Sequence, residues 1–475
     1  MGDPVPPLRC DLLLEGGTLV TLDPARPVIE TGYVAISGER IVGVGESGAA
    51  PEYLADRVIS CRGRLVMPGL VDCHNHLFQS LGRSLGEGLP GWEWLSRFMW
   101  PYAAAITPEE TVAAVYLAAV EAALAGTTAL LDHHYGRTDY ETTLAVAAAL
   151  EEVGLRGVVA RGVTGGYTAL AERQGLPREA FTGSDREELD TTEACIEARP
   201  PGARVAVWPG PINTVYTGQD LLVAAVETAR RHGTGWHTHL SAPKSDPDVY
   251  REAYGVRPAI WLHSQGLLGP DAVLAHATWL DDGEIEAIGS TGTAVVHCPM
   301  SNQYVPYGVM PMRQLLDAGA TVGMGTDGST CGHRQDLFEN MKMLVLMHRL
   351  AELEPTASSA GEALRIATVG GARALGIDAG RLAPGALGDV IVLDATRPHL
   401  TPAHDPRAAV VYAARGSDVT MSIVGGEVIV EDGRCTRVDQ DEVIAEARAR
   451  AADLIGRIGL ASLGTASRRG AGRAQ

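Results

Sequence analysis

Residues 65–77 read LVMPGLVDCHNHL, an apolar run that ends on two histidines one residue apart, His74 and His76. A continuous apolar run, rather than an alternating one, suits a strand buried on both faces, as parallel sheets require. The same texture returns down the chain: TTALLD from 127, RGVVAR from 156, RVAVWP from 204, TGWHTH from 234, AVLAH from 272, TAVVH from 293 and TVGMGTD from 321. Between these runs lie amphipathic stretches rich in Ala, Leu and Glu, such as PEETVAAVYLAAVEAALA from 108, which supply the crossover helices. Eight strand-then-helix units predict an α/β fold, a closed (β/α)8 TIM barrel, with an open doubly wound sheet as the alternative.

The flanks have a different texture. DLLLEGGTLVTL and YVAISGERIVGVG near the start alternate and are broken by Gly turns, as antiparallel hairpins are. DVIVLDA (389–395), AVVYAA (409–414) and DVTMSIVGGEVIVEDGR (418–434) read as strands of the same kind. Neither flank has enough strands to be stable alone, so they are expected to form two halves of one small β-sandwich. The organisation predicted is residues 1–64 as the N-terminal half, 65–385 as the barrel and 386–440 as the C-terminal half. Residues 441–475 follow as a C-terminal helix and a disordered tail.

The chain has 475 residues, 45% hydrophobic and 20% charged, ordinary values for a globular protein. A net charge of −19 argues against nucleic acid or an anionic membrane as partner. The seven cysteines form no CxxC pair and are expected to be reduced thiols in a cytoplasmic protein. No signal peptide is visible at the N-terminus, and no apolar run reaches the ~18 residues of a membrane span.

The predicted strand ends carry the chemistry. The first gives His74 and His76, the second His133 and His134, the fifth His237 and His239, the sixth His276, the seventh His297 and the eighth Asp327. Eight of the fourteen histidines therefore sit at C-terminal strand ends, the face where barrel enzymes build their sites. Side chains at i and i+2 point the same way, so His74 and His76 can converge on one ion. A third histidine and a carboxylate from other strands would complete a divalent-metal site.

MPGLVDCHNHL, HTHL, LAHATWL, HCPMSN and GTDGS, with the closing elements ALRIATVGGARALG and LAPGALGDVIVLD, resemble the signature set of the amidohydrolase superfamily. The resemblance covers roughly residues 10–440. It points to the branch of triazine hydrolases and cytosine, guanine, 8-oxoguanine and S-adenosylhomocysteine deaminases. It implies His74, His76, His239 and Asp327 as ligands of one divalent metal ion, zinc first and iron as the alternative. Asp327 and His276 would be catalytic, the first moving the proton of an activated water and the second steadying the electrophile. Gln79, Trp92, Trp100, His134, Asn302 and His333 are the expected substrate contacts, while His133, His237 and His297 would brace the site. The partner would be a small molecule, and the assembly a homodimer.

One position departs from that pattern. Ring-deaminating and triazine-hydrolysing members typically place a Glu three residues past the fifth-strand ligand, where it protonates a ring nitrogen. This chain has Ala242 there, in HTHLSAPK, with Ser241, Lys244 and Asp246 as nearby substitutes. Deamination of an amino-heterocycle, hydrolysis of an amide and a catalytically dead binding barrel are therefore all open. The missing Glu favours the amide, because a carbonyl needs no ring-nitrogen acid.

Overall fold

The computed structural model describes residues 8–89, 91–181 and 183–459, with the Trp92 side chain outside the described residues. By contact density the chain divides into two units, one of Met1–Val71, Ala122–Ala129 and Asp336–Val438, the other of Asp72–Glu121, Leu130–Gln335 and Asp439–Gln475.

The first unit holds a nine-stranded mixed sheet drawn from both ends of the chain. Val28–Ser37 pairs antiparallel with Leu8–Val20 and with Arg40–Glu46. Leu8–Val20 pairs parallel with Tyr53–Ser60 and Arg64–Pro68. The flanks join where Arg64–Pro68 runs antiparallel to Val390–Asp394, with Met67 opposite Ile391. One apolar core takes Leu14, Val34, Ile36 and Val66 from the first flank and Val390, Val392 and Ile423 from the second. Val419–Val424 turns into Glu427–Glu431 through Gly425 and Gly426, both at positive φ (57° and 77°), as a two-residue hairpin needs.

Two expected strands need correction. LVMPGLVD is not one strand: Arg64–Pro68 belongs to the mixed sheet and Leu70–Asn75 to the barrel, divided at Gly69. A Cβ at Gly69 would lie 2.1 Å from Thr128 Oγ1, so only glycine lets the chain pass there. AVVYAA is not a strand either but part of a helix, Pro406–Tyr412. Asp405 caps its N-terminus through the Arg407 amide and Pro406 occupies the first turn, a start signal that overrides the β-branched composition.

The eight-stranded sheet is the barrel, with strands Leu70–Asn75, Thr127–His134, Arg156–Val163, Val205–Pro211, Trp236–Leu240, Ala272–His276, Ala294–His297 and Thr321–Met324. Its order puts the eighth strand beside the first and leaves the fourth and fifth as the two outermost in the hydrogen-bonded series. A parallel bridge between Asn213 and His239 closes that seam. The second strand, the fourth and the sixth are buried at every residue, which explains their unbroken apolar reading. Crossover helices start on explicit caps: Ser184 with Glu187 and Asp281 with Glu284 form capping boxes. They stop on left-handed glycines, Gly154, Gly233 and Gly292.

A last helix spans Gln440–Ile458, and the expected disordered tail lies from 460 on outside the described residues. None of the seven cysteines forms a disulfide among the described residues. Among the described residues no single helix is long and apolar enough to cross a membrane.

Candidate active site

The ends of the first and eighth strands are fixed by one buried carboxylate. Asp72 accepts hydrogen bonds from the amides of His74 (3.2 Å) and Thr326 (3.1 Å), from Thr326 Oγ1 (2.5 Å) and from Asn75 Nδ2 (2.9 Å). Burial pushes its carboxyl up to about 6, against those bonds. The Asp327 amide then donates to the His74 carbonyl at 3.0 Å, which sets Asp327 beside the first-strand histidines.

Backbone carbonyls choose which ring nitrogen each histidine presents. His76 Nδ1 lies 2.7 Å from the His133 carbonyl, and His239 Nδ1 lies 2.5 Å from the Ile212 carbonyl. A carbonyl only accepts, so both Nδ1 atoms carry the proton and both Nε2 atoms keep a lone pair. His74 Nδ1 is 2.8 Å from His237 Nε2, which leaves the His74 Nε2 buried without a hydrogen-bond partner. The three Nε2 atoms converge: His76 to His239 is 3.2 Å, and His76 and His74 lie 3.4 and 3.5 Å from Asp327 Oδ1. Ligands ~2.1 Å from a tetrahedral cation are about 3.4 Å from one another, so the set fits a divalent ion. The His133 ring nitrogen also comes within 4.8 Å of those of His74, His76 and His239.

Electrostatics agree with that fit. Burial pushes His74 down to about 3, and burial with neighbouring imidazoles also lowers His76, His133, His237 and His239. Neutral imidazoles are what a metal needs. Burial pushes Asp327 up, but His74, His276 and His76 overcome this and hold it well below the usual carboxylate range. His276 and Asp327 both adopt left-handed backbone (φ 70° and 61°), a cost of order 1–3 kcal/mol each that concentrates at functional sites.

Beside the cluster opens a cavity of about 620 Å³, its open mouth included. Gln79 and Trp100, two expected contacts, line it together with His76, His239, His276 and Asp327. Trp100 packs against Tyr135, Phe181 and Tyr216 with ring centres 5.7–5.9 Å apart, and Gln79 Nε2 donates to the Tyr135 hydroxyl at 3.0 Å. Three expected contacts do not reach the cavity. His134 is held between Asp132 Oδ2 (3.2 Å) and the Arg137 carbonyl (2.8 Å). Asn302 stands behind His276, its Oδ1 2.9 Å from the ring Nδ1. The His333 ring lies against Tyr304, 4.6 Å between centres. The Trp92 side chain is outside the described residues.

Sequence reasoning undervalued other lining residues. Trp94, Tyr216, Tyr307 and Asp246 all face the cavity. Their positions come from loops and short helices whose courses no periodic signal encodes. Tyr216 had the clearest available signal, since it follows the fourth strand on the functional face.

Residues 65–429 match the amidohydrolase family, and the chain belongs to it. It is a metal-dependent hydrolase acting on carbon–nitrogen bonds. A 5-methylthioadenosine/S-adenosylhomocysteine deaminase of Pelotomaculum thermopropionicum is 34% identical over 453 residues, covering 94% of this chain and 99% of that one. A 5′-deoxyadenosine deaminase of Methanosarcina mazei is 34% identical over 448 residues, with coverage of 94% and 99%. Among solved structures, an adenosine deaminase from Xanthomonas campestris with bound zinc superposes with a TM-score of 0.87 at 27% identity, covering 95% of this chain and 100% of that one. The atrazine chlorohydrolase from Arthrobacter aurescens, complexed with zinc, gives 0.85 at 26% identity, with coverage of 93% and 100%.

Proposed function

We propose that the protein hydrolyses the exocyclic amine from the adenine of a nucleoside modified at its 5′ position, releasing ammonia. The observation that carries this reading is an aromatic cavity with a His/Asp cluster at one end. Trp94, Trp100 and Tyr216 offer faces to a flat ring, and Gln79 offers an amide for its edge. The names of the relatives supply the adenine nucleoside.

One zinc ion, held by His74, His76, His239 and Asp327, fits the donor set and the metal of the two structural neighbours. When bound, such an ion makes water a nucleophile near neutral pH. Asp327 Oδ1 accepts from the Gly328 amide at 2.7 Å, while Oδ2 faces His276 Nε2 at 3.8 Å. Oδ2 is therefore the atom that takes the water proton and returns it to the leaving amine. His276, its Nδ1 held by Asn302, turns Nε2 toward the carbon under attack. A homodimer in the cytoplasm is the accompanying expectation.

Amide hydrolysis is a second reading, favoured by Ala242 where ring-amine chemistry would place an acid. One panel separates the two: adenosine, 5′-deoxyadenosine, 5-methylthioadenosine and S-adenosylhomocysteine against N-acyl amines, with the zinc-loaded enzyme. Ammonia release from the nucleosides supports deamination. Acyl cleavage without it overturns the proposal.

A further inference from the structure

Ring deamination needs a proton on the ring nitrogen beside the carbon under attack, and the fifth-strand position that would supply it holds a methyl group, Ala242. Ala242 itself faces the cavity. So does Asp246, four residues on, at the start of the helix Ser245–Tyr254. Its side chain is buried and receives hydrogen bonds from the Asn213 side chain and the Ala242 amide. The Oδ2 atom, fully buried, has no partner. An unpaired carboxyl oxygen costs too much to bury without reason, and the residue that carries it lines the space a substrate would enter.

Competing groups are engaged elsewhere or lie off the cavity. Lys244 stacks its ammonium over Trp279, 5.2 Å from the ring centre, and does not line the cavity. Ser241 does not line it either. The Cys331 thiol donates to the Gly328 carbonyl at 3.3 Å. Burial raises the hydroxyls of Tyr135, Tyr216 and Tyr307 above the ordinary phenol range, too tightly held to give up a proton at neutral pH.

We propose that Asp246 is the catalytic acid of this enzyme, giving its proton to the ring nitrogen in place of the carboxyl missing at Ala242. This rests on the deamination reading. Water oxygen bonds to the ring carbon as one water proton passes to Asp327 and the Asp246 proton passes to the ring nitrogen. The carbon–amine bond then breaks, the amine leaving with the bonding pair and the Asp327 proton as ammonia. The new hydroxyl returns its proton to Asp246, and a carbonyl beside an N–H remains. Burial, opposed by the bonds from Asn213 and Ala242, pushes Asp246 up to about 7, so it holds a proton to give near neutrality.

The test is Asp246→Asn in the zinc-loaded enzyme, alone and with Ala242→Glu. The single change should lower kcat at least ~100-fold. It should leave binding of the deaminated product within about threefold. It should also abolish the fall in kcat as pH rises through about 7. The groups facing this carboxyl are Asn213, Tyr216, Tyr307 and the Ala242 amide, with His239, His276 and Asp327 also lining the cavity. Adding Ala242→Glu should restore kcat at least ~tenfold, which a merely structural Asp246 would not allow. Retention of kcat within threefold by Asp246→Asn overturns the proposal, as does a double variant no better than the single. If Asp246→Asn does not fold, Asp246→Ser is held to the same figures. If the wild type deaminates nothing in the panel, the deamination reading fails by itself. Infrared difference spectra at pH 6 then decide on Asp246: a protonated-carboxyl band lost on substitution upholds its role as proton holder, and its absence overturns it.

Discussion

Gly328 follows the metal-site aspartate, and its missing side chain makes room for Gln79. A Cβ there would stand 1.8 Å from Gln79 Oε1 and 2.4 Å from its Cδ, and the three nearest atoms all belong to Gln79. The backbone at Gly328 lies outside the left-handed region, so alanine meets no conformational penalty. Gly328→Ala therefore acts through one neighbour, whose oxygen must retreat by roughly 1.6 Å to reach ordinary contact. Gln79 is fully buried, and the space open to it is the cavity it lines. Moving its amide breaks the bond to the Tyr135 hydroxyl and the one accepted from Thr330 Oγ1. Two buried hydrogen bonds lost predict a destabilisation of about 2–4 kcal/mol. Urea unfolding of Gly328→Ala, Gln79→Ala and the double variant measures it. In the Gln79→Ala background the same alanine should cost nothing, or stabilise by up to ~1 kcal/mol through lost unfolded-state entropy. Equal destabilisation in both backgrounds would refute the steric argument.

Asn302→Leu frees the His276 ring while leaving every metal ligand in place. It should lower kcat about 10–100-fold with metal content unchanged, measured by steady-state kinetics beside elemental analysis. Alanine at His74, His76 or His239 should instead abolish stoichiometric zinc in the same analysis. Dialysis against a chelator should eliminate turnover and lower the thermal midpoint, and added zinc should restore both. Asp246 also predicts a stability profile. Its folded-state value of about 7 lies above the ordinary 3.8, so the folded protein keeps a proton that the unfolded chain releases between those pH values. The cost of burying Asp246 is thus absent below pH ~4 and complete above pH ~7. The stability of Asp246→Asn relative to wild type should rise across that window in denaturant titrations and then level off. A flat difference would contradict the burial argument.

The barrel was legible because strands buried on both faces and helices buried on one leave different periods in the chain. Strand ends brought out eight histidines and Asp327, and the resemblance to the amidohydrolase motifs singled out His74, His76, His239, His276 and Asp327 among them. Loops carry no such rule. His134 and His333 share the strand-end neighbourhood with the others, yet hydrogen bonds to Asp132 and Arg137 turn one ring aside, and Tyr304 takes the other. Asp246 could be named as a neighbour of Ala242, but only the fold of the following helix shows that it lines the cavity. AVVYAA has the composition of a strand, and the Asp-Pro before it outweighed that composition.

The seam between the fourth and fifth strands has a consequence for metal retention. The Ile212 carbonyl accepts from both the amide of His239 (3.4 Å) and its ring Nδ1 (2.5 Å), so one oxygen aligns backbone and imidazole together. Barrel closure and the placement of the His239 ring are therefore linked: if these two strands part, the imidazole moves with them. Metal loss under mild denaturant should thus precede global unfolding, a way to read how tightly the cylinder is shut.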